Sequence, residues 1–138
     1  MAKDKYHFAV RKALESDGWE ITHDPYFIQV GKRRGYIDLG AEKSIIAAEK
    51  DLEKIAVEVK SFVSPSDLDS FEEALGQFLI YLMVLEEKEE NRALYLAIPL
   101  SFHERFFDDP FFQRLAKRYS VKLIVFHETE NRILEWIP

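Results

Sequence analysis

The chain has 138 residues, 47% of them hydrophobic and 14% aromatic, with five glycines and five prolines, which excludes a disordered or low-complexity chain and suits one well-packed domain over residues 1–138. The absence of cysteine excludes a disulfide framework, a thiolate zinc site and cysteine nucleophiles. A formal charge of −6 argues against a general nucleic-acid coat protein, because non-specific DNA affinity comes largely from Lys and Arg displacing counterions.

From Lys5 to Ser16, Tyr6, Ala9, Val10, Ala13 and Leu14 recur at helical spacing, and Gly18 follows as a C-terminal cap. Trp19 and Ile21 predict a short strand ending at Pro25, and Tyr26 to Val30 predict another that runs into a turn over Gly31 to Gly35. Tyr36 to Leu39 continues as a strand carrying Asp38. Ile45 to Glu49 and Ile55 to Phe62 read as the arms of a hairpin. In its second arm Ile55, Val57 and Val59 face one way, while Ala56, Glu58, Lys60 and Phe62 face the other, because strand side chains alternate with period two. Ser66 with Asp69 resembles a capping box opening a long helix. The apolar stripe of that helix is Phe71, Leu75, Phe78, Leu82 and Leu85, with Gln77 and Tyr81 four apart on its flank. Ala93 to Ile98 predicts a buried strand ended by Pro99. Ser101 with Glu104 predicts a capped short helix through Phe107, followed by a helix from Asp109 to Arg118. Strands over Val121 to Phe126 and Ile133 to Ile137 close the chain.

Any chemistry the chain performs is expected to centre on Asp38, Glu58 and Lys60. Two carboxylates converging on one point repel, and a hard cation such as Mg²⁺ or Mn²⁺ relieves that repulsion while keeping several waters. Such a cation polarises a phosphate and acidifies a water, and a lysine beside it can orient that water or neutralise charge developing at phosphorus. Glu-x-Lys alone carries little weight in a chain that is 32% charged, and Glu86-Glu87-Lys88 is a second, helical copy. A solvated strand face with a weak ion pair is the plain alternative. Asp38 on a strand twenty residues before Glu58, and the aliphatic opposite face of the Glu58 strand, distinguish the first copy.

The order helix, strands, Asp, Glu-x-Lys, helix, strand resembles the PD-(D/E)xK nuclease superfamily. Gln77-Phe78-Leu79-Ile80-Tyr81 resembles the Gln-x-x-x-Tyr helix of RecB-like nucleases. Ile37 stands where the superfamily name has proline. The resemblance narrows further. Tyr6-His7, Asp17-Gly18-Trp19, Thr22-His23-Asp24-Pro25, the run Asp38 to Lys43, Ile55 to Phe62, Ala74-Leu75-Gly76-Gln77, Leu94 to Pro99 and Trp136-Ile137-Pro138 look like the XisH family over essentially the whole chain. Its members are cyanobacterial fdxN element excision controlling factors. That resemblance implies an α/β restriction-endonuclease-like fold, with a central mixed sheet flanked by helices. It also implies an XisI-type partner and a role in programmed DNA excision alongside a site-specific recombinase. Asp38 and Glu58 would be metal ligands, Lys60 the water- or phosphate-orienting residue, and Gln77 and Tyr81 supports for the site. The alternative function is a non-catalytic recombination directionality factor on the same fold.

Other residues divide between functional and structural readings. His7 is a further metal-ligand candidate, as in some RecB-like nucleases, or a surface histidine of an amphipathic helix. Glu15, Glu42 and Glu49 are alternative carboxylates. His23-Asp24-Pro25 reads as a turn rather than an acid–base pair. Lys32, Arg33 and Arg34 form the one compact basic cluster, able to contact DNA phosphate or simply a solvated tip. Phe102, Phe106, Phe107, Phe111 and Phe112 are either core or a face for a homodimer or XisI-type contact. With no signal-peptide-like start and no apolar run near the ~18 residues of a membrane span, a cytoplasmic protein without a membrane partner is expected.

Overall fold

A computed structural model describes residues 4–44, 52–88 and 91–138. Helix α1 (His7–Ser16) buries Val10, Ala13 and Leu14, and its end shows why Gly18 is there. Trp19 N–H reaches back to the Leu14 carbonyl and Gly18 N–H to that of Glu15. This six-to-one, five-to-two closure places Gly18 at φ +92°, a conformation that glycine adopts without a Cβ penalty.

Strand β1 (Glu20–His23) leads to a two-stranded hairpin of β2 (Tyr26–Val30) and β3 (Arg33–Ile37), which stands as a sheet of its own. The turn is tighter than the sequence suggests. Only Gly31 and Lys32 lie between the paired Val30 and Arg33, so Arg33 and Arg34 belong to β3. Gly31, at φ +59°, occupies the first central position, where a two-residue hairpin turn of type II′ requires glycine.

The main sheet has six strands in the order β1, β4 (Leu39–Ser44), β5 (Leu52–Val59), β6 (Arg92–Pro99), β7 (Leu123–His127) and β8 (Arg132–Ile137). β5, β6 and β7 run parallel, and the outer pairings are antiparallel, making a mixed sheet. The antiparallel partner of β5 is Leu39–Ser44. The expected arm at Ile45 to Glu49 lies outside the described residues.

The predicted alternation of β5 separates two cores. Ile55, Val57 and Val59 pack with Val10, Leu14 and Phe126 beneath α1. Ala56, together with Phe62 farther on, joins Phe71, Phe78 and Phe102 on the opposite face. Helix α2 (Asp67–Glu87) covers that second face. Ser66 Oγ accepts from Asp69 N–H at 3.2 Å, but the Ser66 N–H goes to Ser64 Oγ, so only half of the capping box forms. The stripe is also rotated toward Ala74, since Phe71, Ala74, Phe78 and Leu85 are buried and Leu75 and Leu82 only partly so.

Helix α3 (Leu100–Phe106) starts without a side-chain cap from within. Ser101 lies inside it, and its N–H donates to Glu128 Oε1 at 3.3 Å, a cap supplied from after β7. Helix α4 (Pro110–Arg118) is capped by Asp109, which accepts from Phe111 N–H at 2.9 Å, with Pro110 at the first helical position, where no N–H is needed. The phenylalanine group is mostly core. Phe102, Phe106 and Phe107 are buried, Phe112 packs against them, and only Phe111 is exposed. Phe102 stacks on Phe62 with ring centroids 3.7 Å apart, and Phe71 meets Phe106, Phe107 and Phe112. These partners across the fold absorb aromatic surface that the sequence left open for a docking face.

Candidate active site

The antiparallel register of β4 and β5 sets the geometry. Leu39 pairs with Val57, so the residues one step beyond, Asp38 and Glu58, are brought face to face where the ladder ends. Asp38 is not within a strand, as its flanks suggested, but at the break where the chain leaves the small sheet at Ile37 and enters the main sheet at Leu39. The break frees its backbone and carboxylate for β5. Asp38 Oδ2 accepts from Val59 N–H at 2.8 Å, and Asp38 N–H donates to Glu58 Oε1 at 3.3 Å. Each acid is thus held by the other's strand, and both are buried.

β5 ends at Val59, one residue before Lys60, yet Lys60 N–H still donates to the Ala97 carbonyl at 3.1 Å, prolonging the register with β6. Lys60 therefore keeps the face of Glu58. From α2, Gln77 and Tyr81 reach the same place. Asp38, Glu58, Lys60, Gln77 and Tyr81 line one cleft of about 400 Å³, together with Asp4 and Tyr36.

Burial, and then the neighbouring Asp38 carboxylate, push the Glu58 carboxyl up to about 9, with Lys60 pulling in the other direction. Burial with the charges of Glu58 and Asp38 raises the Tyr81 phenol to about 12, so it remains a hydrogen-bond donor at any physiological pH. Gln77 Oε1 is buried without a hydrogen-bond partner among the described residues, an unmet acceptor in the cleft wall.

Asp4 and Tyr36 were not singled out from the sequence. Asp4 Oδ1 accepts from Tyr6 N–H at 2.9 Å and Oδ2 from Ser61 N–H at 3.0 Å, tying the start of α1 to the segment that follows Lys60. An Asp just ahead of an amphipathic run is a cap signal, but nothing local points from it to Ser61. Tyr36 carried no signal beyond its place on a strand.

Several candidates fall elsewhere. His7 does not line the cleft. It is buried, with Nε2 2.7 Å from Asp24 Oδ1, while Arg11 donates to Asp24 Oδ2 at 2.6 Å. Asp24 thus sits in a bend, as its sequence suggests, but also anchors α1. Glu15 is exposed and faces Arg11 at 3.8 Å, and Glu42 meets Arg92 at 3.6 Å. Glu49 lies outside the described residues. Lys32, Arg33 and Arg34 are exposed on the hairpin and do not line the cleft. Among the described residues no group of three or more His, Cys, Asp and Glu gathers as a ligand set. Asp38 and Glu58 face each other in the cleft while Asp4 accepts from two backbone N–H groups, so the pair is a donor set that suits a cation retaining most of its waters.

The model of the XisH protein family matches residues 1–134. The chain belongs to the XisH family. Two solved structures agree with that assignment. A crystal structure of an XisH family protein from Nostoc punctiforme PCC 73102 is 39% identical, with a TM-score of 0.86 over 98% of this chain and 100% of that one. A fdxN element excision controlling factor protein from Anabaena variabilis is 38% identical, with a TM-score of 0.84 over 96% of this chain and 98% of that one. No curated protein is significantly similar. The mixed sheet and flanking helices are therefore XisH architecture. Among the described residues no helix is long and apolar enough to cross a membrane.

Proposed function

We propose that this XisH protein takes part in controlling excision of a DNA element, and that it does so as a divalent-cation-dependent phosphodiesterase of the restriction-endonuclease-like kind. The excision role rests on the family and on the relative described as an excision controlling factor. The phosphodiesterase reading rests on one observation: Asp38 and Glu58 are locked face to face by reciprocal backbone hydrogen bonds in the lining of a polar cleft.

The residues fit Mg²⁺ or Mn²⁺. A carboxyl held up to about 9 by burial and a neighbouring acid is an arrangement that a dication relieves. Asp38 and Glu58 would hold the ion, which when bound polarises a phosphate and acidifies water. The chain's own groups supply the rest. Lys60, beside Glu58, places an ammonium where negative charge grows on the phosphoryl oxygens. Tyr81, kept as a phenol, donates a hydrogen bond into the cleft. Gln77 offers an amide from the same helix face to orient a water. Asp4 holds the Lys60 segment in place through Ser61.

With a net charge of −6, the chain should hold duplex DNA weakly and lose it steeply with salt. Recruitment by a partner protein, of the XisI type that the family resemblance implies, and action beside a site-specific recombinase complete the proposal. The non-catalytic reading is favoured by a separate observation: among the described residues no three His, Cys, Asp or Glu side chains gather as a ligand set, and the third acid of the cleft, Asp4, is taken up by backbone N–H groups. The test is to incubate purified protein with branched, single-stranded and duplex DNA plus Mn²⁺, with and without an XisI-type protein. Nicking by wild type that is lost in Asp38→Ala, Glu58→Ala and Lys60→Ala supports catalysis. Full excision in cells with all three replaced would establish the scaffold.

A further inference from the structure

A second concavity adjoins the candidate site. Its walls are the β2–β3 hairpin and the outer flank of α2, its volume is about 700 Å³, and Phe27, Ile80, Met83, Val84 and Arg34 are among its lining. Phe27, Ile80 and Met83 are 54%, 51% and 63% exposed, so three large apolar side chains meet solvent along one groove. Continuity with the cleft follows from the register. Phe27 pairs directly with Tyr36, and Gln29 with Arg34, so Phe27, Tyr36 and Arg34 share one face of the hairpin. Tyr36 lines the cleft and Arg34 the groove, two residues or about 7 Å apart along β3. On α2, Tyr81 lines the cleft while Ile80, Met83 and Val84 line the groove.

We propose that this groove takes an unpaired DNA strand, with one base stacked on Phe27 while the neighbouring phosphate lies at the Asp38–Glu58 cleft. The proposal deepens the phosphodiesterase reading and rests on it for the position of the phosphate. A duplex turns its phosphates outward and keeps its bases stacked inside, so it offers nothing to an apolar wall. An unpaired strand presents both an aromatic face and a phosphate at each step. The groove presents the complement of each. Phe27 supplies an exposed ring, Ile80 and Met83 supply apolar sides, and the Arg34 guanidinium lies 5.3 Å from the Phe27 centroid, with Lys88 and Glu87 at the same wall, two cations against one carboxylate.

The test is fluorescence anisotropy in EDTA, where no cleavage intervenes, with a short labelled DNA strand and the duplex of the same sequence. Wild type should bind the strand more tightly than the duplex. Phe27→Ala should weaken strand binding about tenfold or more, the scale of losing one stacked base, and leave duplex binding unchanged. Phe27→Trp should retain strand binding, and Arg34→Ala should flatten the salt dependence by about one counterion. Because Phe27 is exposed, urea unfolding of its variants should match wild type, and Ile80→Ala with Met83→Ala provides a second probe of the same wall. Equal affinity for strand and duplex, or no effect of Phe27→Ala, overturns the proposal, as it would if the groove held a protein segment instead. The two readings fail separately. Strand binding that depends on Phe27 without cleavage of any substrate refutes the phosphodiesterase and keeps the groove, whereas Mn²⁺-dependent nicking with strand binding indifferent to Phe27 does the reverse.

Discussion

Replacing Glu58 by glutamine should make the metal-free protein more stable at alkaline pH and leave it unchanged in acid. The Glu58 carboxyl is raised from 4.5 to about 9 by burial first and the Asp38 carboxylate second, so the folded protein retains a proton that the unfolded chain releases. Its stability contribution is complete below 4.5 and declines as pH rises toward 9. Near pH 8 the loss reaches at most about 5 kcal/mol, at roughly 1.36 kcal/mol per pH unit above 4.5. Relaxation and water entry into the cleft reduce this, so about 2–4 kcal/mol is expected. Glutamine escapes the loss because it is neutral at every pH, and its carbonyl can still accept from Asp38 N–H. Urea unfolding in EDTA at about pH 5 and about pH 8 measures it, as a shift in midpoint with the slope unchanged. Saturating Mg²⁺ at the higher pH should then stabilise wild type, by about 2.7 kcal/mol at a hundred times its dissociation constant, and spare the variant. A Glu58→Gln protein no more stable than wild type near pH 8, or stabilised equally at both values, would refute the electrostatic account of the site.

Four further outcomes are expected. Gly40→Ala should destabilise by about 1–3 kcal/mol in thermal or urea unfolding, because an added Cβ would come within 3.0 Å of both His23 Nδ1 and the Tyr26 ring. Gly76→Ala should do the opposite, gaining about 0.5–1 kcal/mol, since nothing lies within 4 Å of that Cβ and α2 needs no glycine there. If the chain cleaves DNA, Lys60→Ala should slow single-turnover cleavage by roughly 10²–10³-fold with an unchanged urea midpoint. The pH–rate profile of the wild type should show no tyrosine limb in the neutral range, as the Tyr81 phenol titrates only at about 12.

Whatever depends on near neighbours along the chain could be read from its residues alone. The alternation in β5 separates Val57 from Glu58 because a strand's side-chain period is set by its backbone, and the structure places them in different surroundings accordingly. Gly18, Ser66 and Asp109 mark helix ends because caps close over three to five residues. Gln77 and Tyr81 share a flank because four residues are about one helical turn. Tertiary structure decided everything that required a distant partner. The run from Tyr26 to Ser44 has no local sign that its first half leaves the main sheet, so the break at Asp38, and the reciprocal bonds with β5 that it permits, were hidden. His7 went to Asp24 and Arg11 rather than to the cleft, Ser101 took its cap from Glu128, and Asp4 found Ser61. The phenylalanines of α3 were absorbed by Phe62 and Phe71. In each case a buried polar group or an aromatic ring must find a partner somewhere in the folded chain, and which one it finds depends on how the strands and helices pack together.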